Sequence, residues 1–172
     1  MQGIPLNERK RLGALLDDRP QTEVMAMIPQ FSQAETDNFV APPAQIPEAL
    51  GVLMFNMERG VNLPEIQEFL RDCPDIQPFD VILANELDDG CARSGNKNTA
   101  RELAQAFGLN YAWGLEFIEL VNDENAKGFH GNAVFSRWPI RRAGVIPVAM
   151  GQNQPVQPGD ALTQERFGGN VR

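Results

Sequence analysis

The chain has 172 residues, with 15 Lys and Arg against 23 Asp and Glu for a net charge of −8, and is long enough for one domain that buries roughly 70% of its unfolded-chain surface. That acidity opposes non-specific binding to a phosphate backbone, so contact with nucleic acid must be local or metal-bridged. Two cysteines without CxxC spacing and a single histidine argue against a zinc site and read as thiols of a reducing compartment. The absence of a run of about 18 apolar residues, and of a basic-then-apolar leader, predicts a cytoplasmic protein with no membrane span.

Residues 1–48 form a segment of distinct texture. Leu12, Leu15 and Leu16, then Val24, Met25 and Ile28, are spaced for two short helices, and residues 39–47 (FVAPPAQIP) read as an extended proline-rich linker. From Leu50 the rhythm changes. Residues 51–55 are a short apolar run that ends in Asn56 and suits a buried strand. Asn62 can cap a helix with Pro64 in its first turn; Leu63, Ile66, Phe69 and Leu70 mark the apolar face, and Cys73 with Pro74 stops it. Residues 81–84 predict a second strand. Thr99 and Glu102 then have capping-box spacing, Leu103, Ala104 and Phe107 form a stripe, and Gly108 ends the helix.

Beyond Gly108 the pattern turns strand-like at 109–113, 115–121, 132–136 and 144–148, separated by a turn-rich stretch at 122–128 and by Trp138 and Pro139. Residues 151–172 carry little regular pattern. Strand–helix units followed by paired strands predict an α/β (α+β) chain, a mixed sheet with helices on one face. The expected division is a helical and proline-rich segment over 1–48 and the sheet-bearing part over 49–172.

One motif is set aside at once. Residues 90–95 followed by Asn96, Lys97, Asn98 and Thr99 imitate a phosphate-cradling P-loop, but Asn96 and Asn98 break the adjacencies that put backbone N–H groups and ammonium in register. A stronger constellation is Asn56 at the end of one predicted strand and Glu86 just past the next, because carboxyl ends of strands gather at one sheet edge. Mg2+ is commonly held by one or two carboxylates plus waters and substrate phosphate oxygens, so Glu86 beside an amide makes a partial ligand set. The same residues also read as a solvated turn, with Asp88 or Asp89 as a cap. His130 reads either as structural or as a substrate contact. Arg93 and Arg137 either neutralise phosphate or solvate the surface. Glu116 and Glu119 are assigned to a partly exposed strand.

Taken together, VLMFNMERG, VILANELDDG and HGNAVFSRWPI resemble the endonuclease/exonuclease/phosphatase superfamily, the deoxyribonuclease-I-like fold, across residues 50–140. In that family an early strand ends in Asn, the next in a metal-binding Glu, and a Gly-Asn-Ala strand ending in Ser-Arg-x-Pro-Ile follows. The resemblance implies that Asn56 and Glu86 are catalytic and hold Mg2+ or Mn2+, and that Asn132 lines the phosphate side of the cleft. His130 and Arg93 are the further candidate contacts to a phosphate-ester substrate. The family's later motifs, a His on an Asn-x-His-Leu-like strand, an Asp-x-Asn segment and a terminal Asp-His pair, have no counterpart in these 172 residues. The resemblance therefore implies the first half of a four-layer α/β sandwich, inactive alone. Its uncovered sheet face would favour self-association or a complementing chain. The alternatives are a non-catalytic half-domain used for binding or assembly, and an unrelated α/β binding protein.

Overall fold

In the computed structural model, residues 1–146 are described. Five strands form one sheet in the order β1-β4-β5-β3-β2, with β1 at Ala34–Asp37, β2 at Val52–Arg59, β3 at Val81–Asp89, β4 at Asn110–Ile118 and β5 at Phe129–Ser136. Only β2 and β3 run parallel; the other neighbours are antiparallel. The parallel pair needs a crossover, which a helix supplies. The helices are α1 (Leu6–Leu15), α2 (Gln21–Ala26), α3 (Leu63–Asp72) and α4 (Thr99–Phe107). The chain is thus α+β with a mixed sheet.

Strand alternation explains the layers. Ile82 and Ala84 of β3, Tyr111 and Trp113 of β4, and Ala133 and Phe135 of β5 are buried in one cluster with Leu70 of α3 and Leu103 and Ala104 of α4. Their strand neighbours point the other way. Val52, Met54, Leu83 and Val134 are exposed by 57%, 73%, 37% and 40%. A groove of about 650 Å³ runs over this open face, bordered by Met54, Leu83, Val134 and Ile140.

The helix ends show how local signals were modified. Gly108 ends α4 in the left-handed conformation, as its position predicts. The N-cap, however, is Asn98 rather than Thr99: the Asn98 side chain accepts from the Arg101 N–H at 2.8 Å, and the Thr99 hydroxyl donates instead to the Asp88 carbonyl at 2.8 Å. Asn62 precedes α3, but its side chain makes no capping bond.

Three expectations change. Residues 1–48 are not separate from the sheet, because β1 pairs with β4 and Arg9 donates to the carbonyls of Glu119, Asn122 and Asn125. The two strand-like stretches flanking Gly114 form a single strand, β4. The strand predicted at 144–148 does not form over 144–146, and its last two residues, like 151–172, lie outside the described residues. Cys91 is a buried free thiol and Cys73 a partly buried one. Among the described residues no helix is long and apolar enough to cross a membrane.

Candidate functional site

Asn56 and Glu86 do not sit at strand ends. Both strands continue, β2 to Arg59 and β3 to Asp89, and each breaks register there: β2 between Asn56 and Arg59, β3 between Ala84 and Leu87. A bulge of this kind bends the strand and re-aims a side chain. The backbone bears the cost, for Glu86 has φ 58°, Glu58 φ 46° and Arg59 φ 67°, a left-handed region that costs side-chain-bearing residues about 1–3 kcal/mol each. Strain therefore gathers on both sides of the Asn56–Glu86 contact.

That contact is well determined. Asn56 Nδ2 donates to Glu86 Oε1 at 3.0 Å, while Asn56 Oδ1 accepts from the Glu58 N–H at 2.8 Å. Both ends of the amide are thus engaged, which sets its orientation. On the other side, Asn132 Oδ1 accepts from the Glu86 N–H at 3.2 Å, and Asn132 Nδ2 donates to Glu116 Oε2 at 3.1 Å. The row Asn56, Glu86, Asn132, Glu116 crosses β2, β3, β5 and β4 in the order in which the sheet places them. Asn132 and Asn85 also line the groove over the open face. Sequence placed Glu116 on a partly exposed strand, where it lies, and gave it no part in the site. The signal available was its place in the alternation of β4, in phase with the partly exposed Ala112.

Among the described residues no group of three or more His, Cys, Asp or Glu could hold a metal ion, so they form no closed cage. An open Mg2+ site is less demanding, since water and substrate oxygens complete it. Glu86 fits that role by its donor set: among the described residues Asn56 is the side chain that donates to its carboxylate, at Oε1, which leaves Oε2 with lone pairs to offer a cation.

His130 and Arg93 lie elsewhere. Asp88, two residues beyond Glu86, is fully buried and binds both. Arg93 grips it with a bidentate fork, Nε to Oδ2 at 2.7 Å and Nη2 to Oδ1 at 2.8 Å, and turns its remaining nitrogen to Glu119. His130 Nδ1 lies 2.7 Å from Asp88 Oδ1; an ionised carboxylate only accepts, so this nitrogen carries the proton. The imidazole stacks on Phe117 with centroids 4.1 Å apart, and Ser94 Oγ donates to Asp88 Oδ2 at 3.2 Å.

The electrostatics follow from this geometry. Burial pushes the Asp88 carboxyl up, but the hydrogen bonds from His130 and Arg93 outweigh it and hold the group below the usual carboxylate range. Burial opposes the Arg93 charge, yet pairing with Asp88 and Glu119 raises it above the ordinary guanidinium value. Burial pushes the Cys91 thiol far up, and the Asp88 charge adds to this, which leaves it a poor nucleophile. Arg93 is thus spent on fastening the 91–98 loop to the sheet, and His130 Nδ1 on joining β5 to β3. Arg137 pairs with Asp80 at 3.0 Å.

Comparison of the chain with protein-family models, with curated proteins and with solved structures finds no match.

Proposed function

We propose that this chain carries the cation- and phosphate-binding part of a metal-dependent phosphoesterase site, in which Glu86 holds Mg2+ or Mn2+, Asn56 orients the Glu86 carboxylate and Asn132 faces the substrate phosphate. The observation that supports this is the hydrogen-bonded row from Asn56 through Glu86 and Asn132 to Glu116. When bound, the cation would polarise a phosphoryl oxygen and stabilise the leaving oxygen. The protein's own contribution is orientation: Asn56 holds one carboxylate oxygen, and Asn132 holds the backbone at the bulge. The single histidine does not supply the base for the attacking water, because it is buried on Asp88. Hydrolysis of a phosphodiester by the 172-residue chain alone is expected to be negligible.

Trp113 supplies the reporter, since its Nε1–H donates to the carbonyl of Leu87 at 3.3 Å, next to Glu86. Titration with Mn2+ is expected to quench its fluorescence saturably. Glu86→Gln should weaken the cation by about tenfold or more, and Asn56→Ala by about ten- to a hundredfold. Equal Mn2+ affinity in wild type and Glu86→Gln would sink the reading.

The open apolar face favours a second reading, a binding or assembly module. A second sheet packed face to face on Val52, Met54, Leu83 and Val134 would remove exposed apolar surface and complete a four-layer sandwich. Sedimentation should then detect concentration-dependent self-association of the wild type that Met54→Glu with Leu83→Glu abolishes. A wild type that stays monomeric as its concentration rises would argue against a second copy as the cover.

A further inference from the structure

The turn that follows Asn56 contains a cation that the proposed site has not yet used. Glu58, Arg59 and Gly60 take φ values of 46°, 67° and 69° in succession, and the Gly60 N–H closes the turn on the Met57 carbonyl at 2.8 Å. Glycine adopts this conformation freely, whereas glutamate and arginine do not. The turn is also fastened from behind, because a Cβ on Gly60 would come within 2.6 Å of Thr99 Cγ2 at the start of α4. Arg59 is in register with Leu87, the residue after Glu86. Its backbone thus stands next to the strained bulge that presents the Glu86 carboxylate.

The side chain has a donor to spare, as does Arg9, whose Nε is likewise buried without a partner. Arg59 is partly buried, and its Nε is buried without a hydrogen-bond partner. Among the described residues it also makes no ion pair, whereas Arg93, Arg101, Arg137 and Lys127 each have a carboxylate. In a chain with 23 acidic side chains against 15 basic ones, acids are in excess and yet none of the described ones pairs with Arg59. A buried donor left unpaired costs stability, and a guanidinium fork matches the oxygens of a phosphate better than any other side chain.

From this we infer that Arg59 is the anion-recognising residue of the site: it binds the phosphoryl oxygens of a phosphate ester beside the cation held by Glu86. The inference rests on the phosphoesterase reading and deepens it, for it makes a charged phosphate group, rather than a neutral ester, the feature that is recognised. It also answers an electrostatic need, since Glu86 and Glu116 would otherwise repel an anionic substrate.

The test uses inorganic phosphate as probe, titrated into the 172-residue chain in saturating Mg2+ and followed by 31P NMR. Arg59→Gln removes the charge. Arg59→Gly also removes it and, at φ 67°, relieves the backbone, so this variant should be at least as resistant to urea as wild type. Both variants should keep wild-type Mg2+ affinity and bind phosphate about ten- to a hundredfold more weakly, with Arg59→Lys in between. Wild-type phosphate affinity in Arg59→Gly, or a loss of stability with phosphate binding intact, would mark Arg59 as structural and overturn the inference while leaving the Glu86 reading in place. Failure of wild type to bind Mg2+ would overturn both.

Discussion

Asp88→Ala is expected to lower the stability of the fold by about 3–5 kcal/mol, the usual cost of removing one partner from a buried ion pair. The carboxylate is fully buried, and both its oxygens are shared among Arg93, His130 and Ser94. Without it, His130 Nδ1 loses its acceptor and Arg93 keeps one carboxylate, that of Glu119. Arg93 is partly exposed, so water can recover some of the loss on that side. His130, 2% exposed, has no such outlet. Urea denaturation measures the difference, and a loss under about 1 kcal/mol would mean that the network relaxes around the gap. The pH dependence follows with a definite sign. The folded protein holds the Asp88 carboxyl below its ordinary value, so the unfolded chain takes up its proton first. The stabilisation is complete above the unfolded value of about 3.9 and is lost as the pH falls through the lower folded value. Wild type should therefore lose more stability than Asp88→Ala over that acid window.

Gly131→Ala should be comparably damaging, for a steric reason. A Cβ on Gly131 would lie 2.0 Å from the Gly114 carbonyl oxygen and 2.8 Å from Trp113 Cζ2. Neither can give way easily, since one belongs to the paired backbone of β4 and the other to a buried ring. The strands must part, at a cost of at least about 3 kcal/mol. The displaced segment leads directly into Asn132, whose bonds to Glu86 and Glu116 hold the row together. Any variant that remains folded should consequently show weakened Mn2+ quenching of Trp113. A thermal midpoint and Mn2+ affinity equal to wild type would refute this account of the β4–β5 contact.

Near-neighbour chemistry made much of the fold legible. Apolar runs at 51–55 and 81–84 identified two strands, though Val52 and Met54 are exposed rather than buried; the helical stripes gave the buried faces of α3 and α4 at Leu63, Leu70, Leu103 and Ala104, while Phe69 of the same stripe is exposed. Gly108 marked a helix end because left-handed backbone is a property of one residue. The short strand β1 was missed, since AETD has no apolar pattern and forms only because β4 offers it an edge. Thr99 lost its capping role to Asn98 when a strand brought the Asp88 carbonyl to its hydroxyl.

The candidate site divides in the same way. Asn56, Glu86 and Asn132 could be picked out from short motifs, because each lies on or beside a strand whose pattern is local. Their meeting, the bulges that turn them, and the membership of Glu116 depend on a strand order in which β5 intervenes between β3 and β4. His130 stayed open between a structural role and a substrate contact in sequence, and Arg93 between phosphate and solvent, because their common partner is decided by pairing: Asp88 sits opposite His130 in the ladder, 42 residues away in the chain. Sequence by itself thus determined which backbone segments are helical or extended and which residue types stand along them, since those preferences are set within a few residues. Only the tertiary structure decided which charges are spent internally and which remain to meet a ligand, because electrostatic and hydrogen-bond partners are chosen by proximity in space.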